Sequence, residues 1–472
     1  MVELSGPWLV LVALVPGIVA LAPRSLLTGR AGRRVVLGMS WLELLLSGLV
    51  AWEFHQRGEG AFLVDPLDPG RLFLGRPLVV VDELNSLLLP FGGLLFAFVL
   101  LGAPRAERAK ASVRRILAAE SIILGTFATI EPFLLAFLWA MSTLNAYLEL
   151  RSRETSRSTA RAVGIYMAGS VLLFSLGILL LGSVAATSGV NYLLVAAVLT
   201  RKGVFPFHSW VIPLFEHLPL GAAILFAAPQ IAAYAAVRLI LPTASPTLLS
   251  LIGLASLATA IYGAALALVQ EDVRRVLGAF FMSQSALVMA GLDSRNTMGL
   301  AGGLALWIST GLALAGFTLT IAALEARRGP LSLSRFAGGY ERTSFLAVSF
   351  LFLGLASVGF PGTLGFAGQE ALAHGAFTET PFRGALVLLA SALNGITVMR
   401  CYLQLFCGAR TESARAQGVR PRERLSFLVL VLILFLGGLF PQPFLRSRER
   451  AAEFSFDERE RRASERVLGR SP

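Results

Sequence analysis

The sequence predicts an all-α polytopic membrane protein, and three observations carry that prediction. Of its 472 residues 55% are hydrophobic and only 15% charged, with a mean hydropathy of +0.71. No polar stretch is long enough to build a large soluble domain. The chain also divides into about fourteen mostly apolar segments of about 20 residues, the length that spans a bilayer. Finally, every second loop between those segments is basic.

The segments start near Trp8, Val36, Val79, Ile116, Phe133, Ala162, Tyr192, Leu218, Leu248, Val276, Met298, Ser344, Gly384 and Leu425. The first begins without a basic leader or a small-residue cleavage site and reads as a span. Arg24, Arg30, Arg33 and Arg34 follow the first segment, and Arg105, Arg108, Lys110, Arg114 and Arg115 the third. Arg151, Arg153, Arg157 and Arg161 follow the fifth, and Arg327, Arg328, Arg335 and Arg342 the eleventh. Arg410, Arg415, Arg420, Arg422 and Arg424 follow the thirteenth. By the positive-inside rule these loops are cytoplasmic, which puts both termini outside a bacterial-type inner (plasma) membrane. The loop from His55 to Pro77, mixed in charge and rich in Gly and Pro, fits the outside. The same rule explains most of the net charge of +12, so nucleic acid is not an expected partner; the bilayer is.

Two segments are interrupted. RKGVFPFHSW, Arg201 to Trp210, places two cations, a proline and a histidine inside an apolar run. A cation at mid-bilayer costs about 2.5–3.5 kcal/mol on insertion scales and faces a bundle interior or a wet path. Pro206 removes a backbone donor and breaks the helix. GFPGTLGFAGQE, Gly359 to Glu370, repeats the pattern around Pro361 and ends in Gln369 and Glu370. Paired interruptions in two halves of a chain point to a transporter built from repeats around a central path.

Other chemistries find no support. Cys401 and Cys407 lack metal or redox spacing. No G-x-G-x-x-G after a strand and no Walker loop occurs. No cofactor or metal site is expected. The tail 446–472 is Arg-rich but carries Glu449, Glu453, Asp457, Glu458, Glu460 and Glu465. Its mixed charges suit an exposed helix or a docking surface, and a solvated, partly disordered end is the favoured reading.

Four motifs in order make the chain resemble the antiporter-like membrane subunits of respiratory complex I and of multi-subunit cation/proton antiporters. VDELNSLLL (Val81–Leu89) is similar to the family's Asp-Gly-Leu-Ser third span, and FPFHSW to its Phe-Pro break. QEDVRRVLGAFFMSQ (Gln270–Gln284) is similar to its Gln-x-Asp-x-Lys-Arg segment, and GFPGTLGFAGQE to its second break. The resemblance runs from about Val81 to Phe406. It implies about fourteen helices in a transmembrane domain 1–445, with two inverted five-helix repeats near 114–241 and 247–409. Each repeat carries one broken helix. It also implies proton or cation movement along a mid-membrane row of buried Glu and Lys, within a complex of several membrane subunits.

This chain departs from that row. The family's fifth-span Glu falls on Ala140 and its seventh-span Lys on Arg201, with Lys202 adjacent. Its eighth-span Lys falls on Gln230, its eleventh-span Lys near Ala313, and its twelfth-span Lys or Glu on Gln369. A buried Lys titrates because desolvation lowers its pKa; Arg stays protonated. The ion-path candidates are therefore Glu120, Arg201, Lys202, His208, Gln230, Gln369 and Glu370. Glu120 is a lone acid in the fourth span, available to pair with Arg201 or Lys202. His208 is open to two readings, a proton relay or a packing residue at the break. Glu370 is the best remaining candidate for a titrating acid in the second repeat, with an interfacial Glu as its other reading, and Asp82 and Glu83 read as interfacial.

Two other function classes stay open. One is a conduction-deficient structural subunit that anchors a partner. The other is the membrane half of a proton-driven inorganic-carbon uptake system, whose zinc would sit on another chain. The chain is not expected to catalyse redox chemistry by itself. Purified alone it should oxidise no NADH and carry no flavin or iron, which absorbance spectra and an NADH consumption assay check directly.

Overall fold

The computed structural model describes residues 2–27, 29–57, 60, 62–105, 112–152, 157–181, 187–292, 294–408 and 418–467. Of the loop cations used for orientation, Arg108, Lys110, Arg153, Arg410 and Arg415 lie outside these residues. The first half comprises α1 (Trp8–Leu21), α2 (Gly29–Arg57), α3 (Leu88–Gly102), α4 (Val113–Ala128), α5 (Pro132–Arg151) and α6 (Arg157–Leu180). It continues through α7 (Thr187–Lys202), α8 (Val211–His217), α9 (Leu220–Ala227) and α10 (Ile231–Ala235), which runs into a π-helical turn at Ala236–Ile240. The second half comprises α11 (Pro246–Val269), α12 (Val273–Leu292), α13 (Thr297–Arg328), α14 (Ser344–Ser357), α15 (Leu364–Glu379) and α16 (Pro381–Phe406). Two helices close the chain, α17 (Pro421–Leu439) and α18 (Gln442–Val467).

The protein is thus an all-α, polytopic membrane protein. Among the described residues 8 helices are long and apolar enough to cross a bilayer, and α1, α3 and α14 are shorter apolar helices. The third apolar segment, read from Val79, starts as strand and turn, and its helix begins only at Leu88. Asp82 explains the delay: its Oδ1 accepts from the backbone N–H groups of Leu84 and Asn85 at 3.1 and 3.2 Å, a local turn that competes with helix.

Ion pairs and a shared cleft, lined by Arg33, Arg34, Arg105, Arg420 and Arg422, bring several basic loops together on one face. Arg115 at the start of α4 meets Glu149 near the end of α5 at 2.8 Å. Arg274 at the start of α12 meets Glu325 at the end of α13 at 2.6 Å and donates to the Leu218 carbonyl between α8 and α9 at 2.9 Å. Arg327 meets Glu423 of α17 at 2.5 Å. The opposite face carries a small sheet in which β2 (Leu63–Val64) pairs parallel with β1 (Val2–Glu3) and antiparallel with β3 (Val80–Val81). Asp65 beside it accepts from the Leu9 and Val10 amides at 2.8 and 2.9 Å. It thereby satisfies orphan donors at the N-terminus of α1.

The core is organised on α13. Its apolar window is 100% buried, and it packs against α12, α14, α15, α17 and α18 as well as α3 and α9 of the first half. A helix hydrophobic on every side is an interior helix.

The tail departs from its favoured reading as a solvated end. It forms α18, bent 78° from α17, and lies on the sheet-bearing face. Arg448 is 0% exposed and donates to the Leu84 and Glu83 carbonyls at 3.0 and 3.1 Å. Ala451 and Ala452 are also fully buried, and Phe454 packs edge-on against Phe62. Apolar Ala and Phe positions interleaved with the charges give the helix a docking side that charge counting hides. Charged hydrogen bonds are worth about 1.5–3 kcal/mol each. Arg448→Ala should release α18, so that limited trypsin digestion removes the tail while the rest of the chain stays intact.

Candidate functional site

Two helices stop inside the bundle by the same device. At the end of α7, the Gly203 amide donates to the Thr200 carbonyl at 3.2 Å and the Val204 amide to the Leu199 carbonyl at 3.0 Å. At the end of α14, the Gly359 amide donates to Ala356 at 3.3 Å and the Phe360 amide to Leu355 at 3.1 Å. This is the 5→2, 6→1 pairing of a Schellman cap. Both glycines have the positive φ it requires, 67° and 77°, which a residue with Cβ adopts only with strain. The first break is closed further by Trp210 Nε1 donating to the Thr200 carbonyl at 2.9 Å. The Phe205 amide donates to Thr259 Oγ1 at 3.0 Å.

In this shared register Lys202 corresponds to Val358 and Arg201 to Ser357. The frame is common to both halves and the charge is not.

Lys202 is buried and its ammonium donates to the Gln230 side-chain oxygen. A third break, not singled out in the sequence, places Gln230. Helix α9 ends at Ala227, Gln230 takes a left-handed conformation at φ 49°, and Trp307 Nε1 caps the Pro229 carbonyl at 3.0 Å. Pro229 was the available signal. Arg201, also buried, donates to Thr143 Oγ1 and Ser142 Oγ of α5 at 2.5 and 2.6 Å. Its guanidinium lies 5.2 Å from the Trp139 ring centroid and 4.8 Å from that of Phe226. Two hydroxyls and two aromatic faces thus hold the cation.

Glu120 does not meet either cation. Its Oε2 accepts from Ser40 of α2 at 3.0 Å, and its Oε1 has no hydrogen-bond partner among the described residues. Glu43, three positions after Ser40 on α2, is also fully buried, with neither oxygen partnered among the described residues. The lone-acid argument made for Glu120 would have singled out Glu43 in the second span. Asp82, read as interfacial, is buried and held bidentately by Arg238 at 2.5 and 2.9 Å. Arg238 in turn lies 5.0 Å from the centroid of the Tyr234 ring. The tyrosine hydroxyl sits 3.0 and 2.8 Å from the Phe127 and Thr129 carbonyls. A lone arginine in the eighth span was the sequence signal for this pair.

His208 lies half-buried between the rings of Phe205 and Tyr262, at centroid distances of 5.5 and 5.0 Å. Glu370 is exposed and is not brought to the other candidates. Gln369 is buried and donates to Ser391 Oγ at 2.7 Å. The interior of the second half is polar but uncharged. Asn394 donates to Ser283 at 2.8 Å, and Ser283 to the Ala260 carbonyl at 2.6 Å. Gln284 is 1% exposed, and neither of its amide atoms has a hydrogen-bond partner among the described residues. Among the described residues of α11–α16 no charged residue is buried in mid-helix; Arg327, whose side chain is 7% exposed, lies at the basic end of α13.

The family described as NADH:quinone oxidoreductase/Mrp antiporter, TM matches residues 81–394. The chain belongs to that family. F(420)H(2) dehydrogenase subunit M of Methanosarcina mazei is 27% identical over 253 residues, 52% of this chain and 51% of that protein. NADH-quinone oxidoreductase subunit M of Pseudomonas aeruginosa is 25% identical over 362 residues, 68% of this chain and 70% of that protein. The alignment therefore spans about half of the first relative and about two thirds of the second. Respiratory complex I from Thermus thermophilus contains a chain of the same fold, with TM-score 0.82 and 23% identity, covering 95% of this chain and 99% of that one. The Mrp complex of Dietzia sp. DQ12-45-1b contains another, with TM-score 0.81 and 18% identity over 95% and 97%.

Removing one partner of a buried ion pair costs about 3–5 kcal/mol, whereas replacing both with apolar residues is often neutral. Asp82→Asn should therefore lower the thermal unfolding midpoint sharply, and Asp82→Leu combined with Arg238→Met should recover most of the loss.

Proposed function

We propose that the chain is a proton- or cation-translocating membrane subunit of a complex-I-like or antiporter-like assembly, and that its own transfer step runs through Lys202 and Gln230. The observation that carries this reading is the buried Lys202–Gln230 contact formed where two helices break side by side. A helix end inside the bundle exposes backbone dipoles and admits water, and a desolvated lysine is the group that exchanges a proton there. Arg201 supplies a fixed positive charge beside it that does not titrate. Gln230 orients the ammonium and passes no proton itself.

The shared capping register of α7 and α14 supports the two repeats, near 114–241 and 247–409, inside a transmembrane domain 1–445. With α7–α8, α9–α10 and α14–α15 each counted as one broken span, the helices make about fourteen crossings. The basic face is then cytoplasmic and both termini lie outside a bacterial-type plasma membrane. The charged tail 446–472 is outside with them. Other membrane subunits complete the assembly.

The uncharged interior of α11–α16 favours a second reading for that half alone, a scaffold through which nothing passes. Proteoliposomes carrying the full chain separate the possibilities. Proton flux should fall by about 100-fold, the scale of one positioned proton-transfer group, in both Lys202→Ala and Lys202→Arg. The arginine variant keeps the charge and cannot release it. Glu370→Gln should conduct as the unaltered chain does, because its side chain faces outward. Lys202→Arg conducting normally would rule out relay by this residue. Vesicles as tight as empty ones would extend the scaffold reading to the whole chain.

A further inference from the structure

We propose that the basic face of the protein holds an anionic phospholipid in a cleft between α2, α3, α4 and the start of α17. The cleft has a volume of about 800 Å³. Arg33, Arg34, Arg105, Arg420 and Arg422 line it, together with one acid, Glu423. That acid is already engaged by Arg327 at 2.5 Å. Among the described residues that line the cleft, the five arginines therefore have no acid left to match them.

The arrangement is layered. All five arginines sit near helix ends: Arg33 and Arg34 in the second turn of α2, Arg105 just past α3, and Arg420 and Arg422 at the start of α17. Deeper in the bundle the walls turn apolar, with Val36 and Leu37 on α2, Leu100 on α3 and Ile116 on α4. A free anion would satisfy the arginines and leave the apolar walls against water. A neutral lipid would satisfy the walls and leave the arginines unmatched. A phospholipid with net negative charge satisfies both: its phosphate accepts from guanidinium forks, the geometry arginine favours over lysine, and its acyl chains cover the walls. Basic pockets between helices on the cytoplasmic side recognise anionic headgroups by this chemistry. The site is separate from Lys202 and Gln230, neither of which lines the cleft, and it stands whether or not the chain conducts.

The test is native mass spectrometry of the full chain in detergent, titrated with dioleoylphosphatidylglycerol or dioleoylphosphatidylcholine. One phosphatidylglycerol should be retained in preference to phosphatidylcholine, and millimolar inorganic phosphate should not displace it. Each arginine near an anionic surface contributes about a factor of five, so R33A/R105A/R422A should weaken retention on the order of 100-fold. Leu37→Trp, which fills the apolar wall and leaves every arginine in place, should also weaken it. R71A/R76A, on the sheet-bearing face, should not. Equal retention of the two lipids, or undiminished retention in both cleft variants, would overturn the proposal. Displacement by phosphate alone would reassign the cleft to a free anion.

Discussion

Backbone amides and carbonyls inside a bilayer must find partners within the protein, and this constraint governs the placement of everything of interest here. Stopping a helix at mid-depth is possible only if its last carbonyls are capped. Gly203 and Gly359 do this with the same pair of hydrogen bonds, and Trp210, Thr259 and Trp307 add side-chain bonds at the first break and beside Gln230. The side chains that matter follow from the caps. Lys202 is the last helical residue before Gly203, so its ammonium emerges at the negative end of the α7 dipole. That field, with the Gln230 oxygen, stands in for the carboxylate that neither Arg201 nor Lys202 meets.

The two halves therefore share a frame and differ in chemistry. In the first, buried charge is abundant and unevenly matched: Arg201 and Lys202 rest on neutral oxygens and rings, while Glu43 and Glu120 are buried acids with no cation on them among the described residues. In the second, Gln284, Gln369 and Asn394 mark polar positions without a net charge. A frame kept by backbone geometry tolerates such loss, because Schellman capping needs a glycine and not a lysine.

What the sequence made legible follows the same division. Apolar runs and prolines are local signals, so the helices and the breaks at Pro206 and Pro361 could be read from them. The basic loops were legible as a set, and several of them do gather on one face. Partner choice was not legible, because it depends on which helices become neighbours. Glu120 meets Ser40 from 80 positions earlier in the chain, and Asp82 meets Arg238 across 156 positions. Gln230 was reached by comparison with a lysine position, yet the break that aims it lies at Pro229, one residue earlier in the same span. The tail misled for a different reason. Its composition is that of a solvated segment, and only the spacing of Arg448, Ala451, Ala452 and Phe454 reveals a packed side.

The enclosure of α13 bears on how such a protein is made. At 1.5 Å per residue its 32 residues extend roughly 48 Å, and no part of its apolar window meets lipid. Its neighbours α3, α9 and α12 precede it in the chain, whereas α14, α15, α17 and α18 follow it. When α13 leaves the ribosome, only part of its final surroundings exists. The newborn helix must wait with one flank against acyl chains until the last quarter of the polypeptide is synthesised. Its largely apolar surface, in which Ser309, Thr310 and Thr320 bond back to their own helix, makes that wait harmless, and the helix carries no charge along its middle.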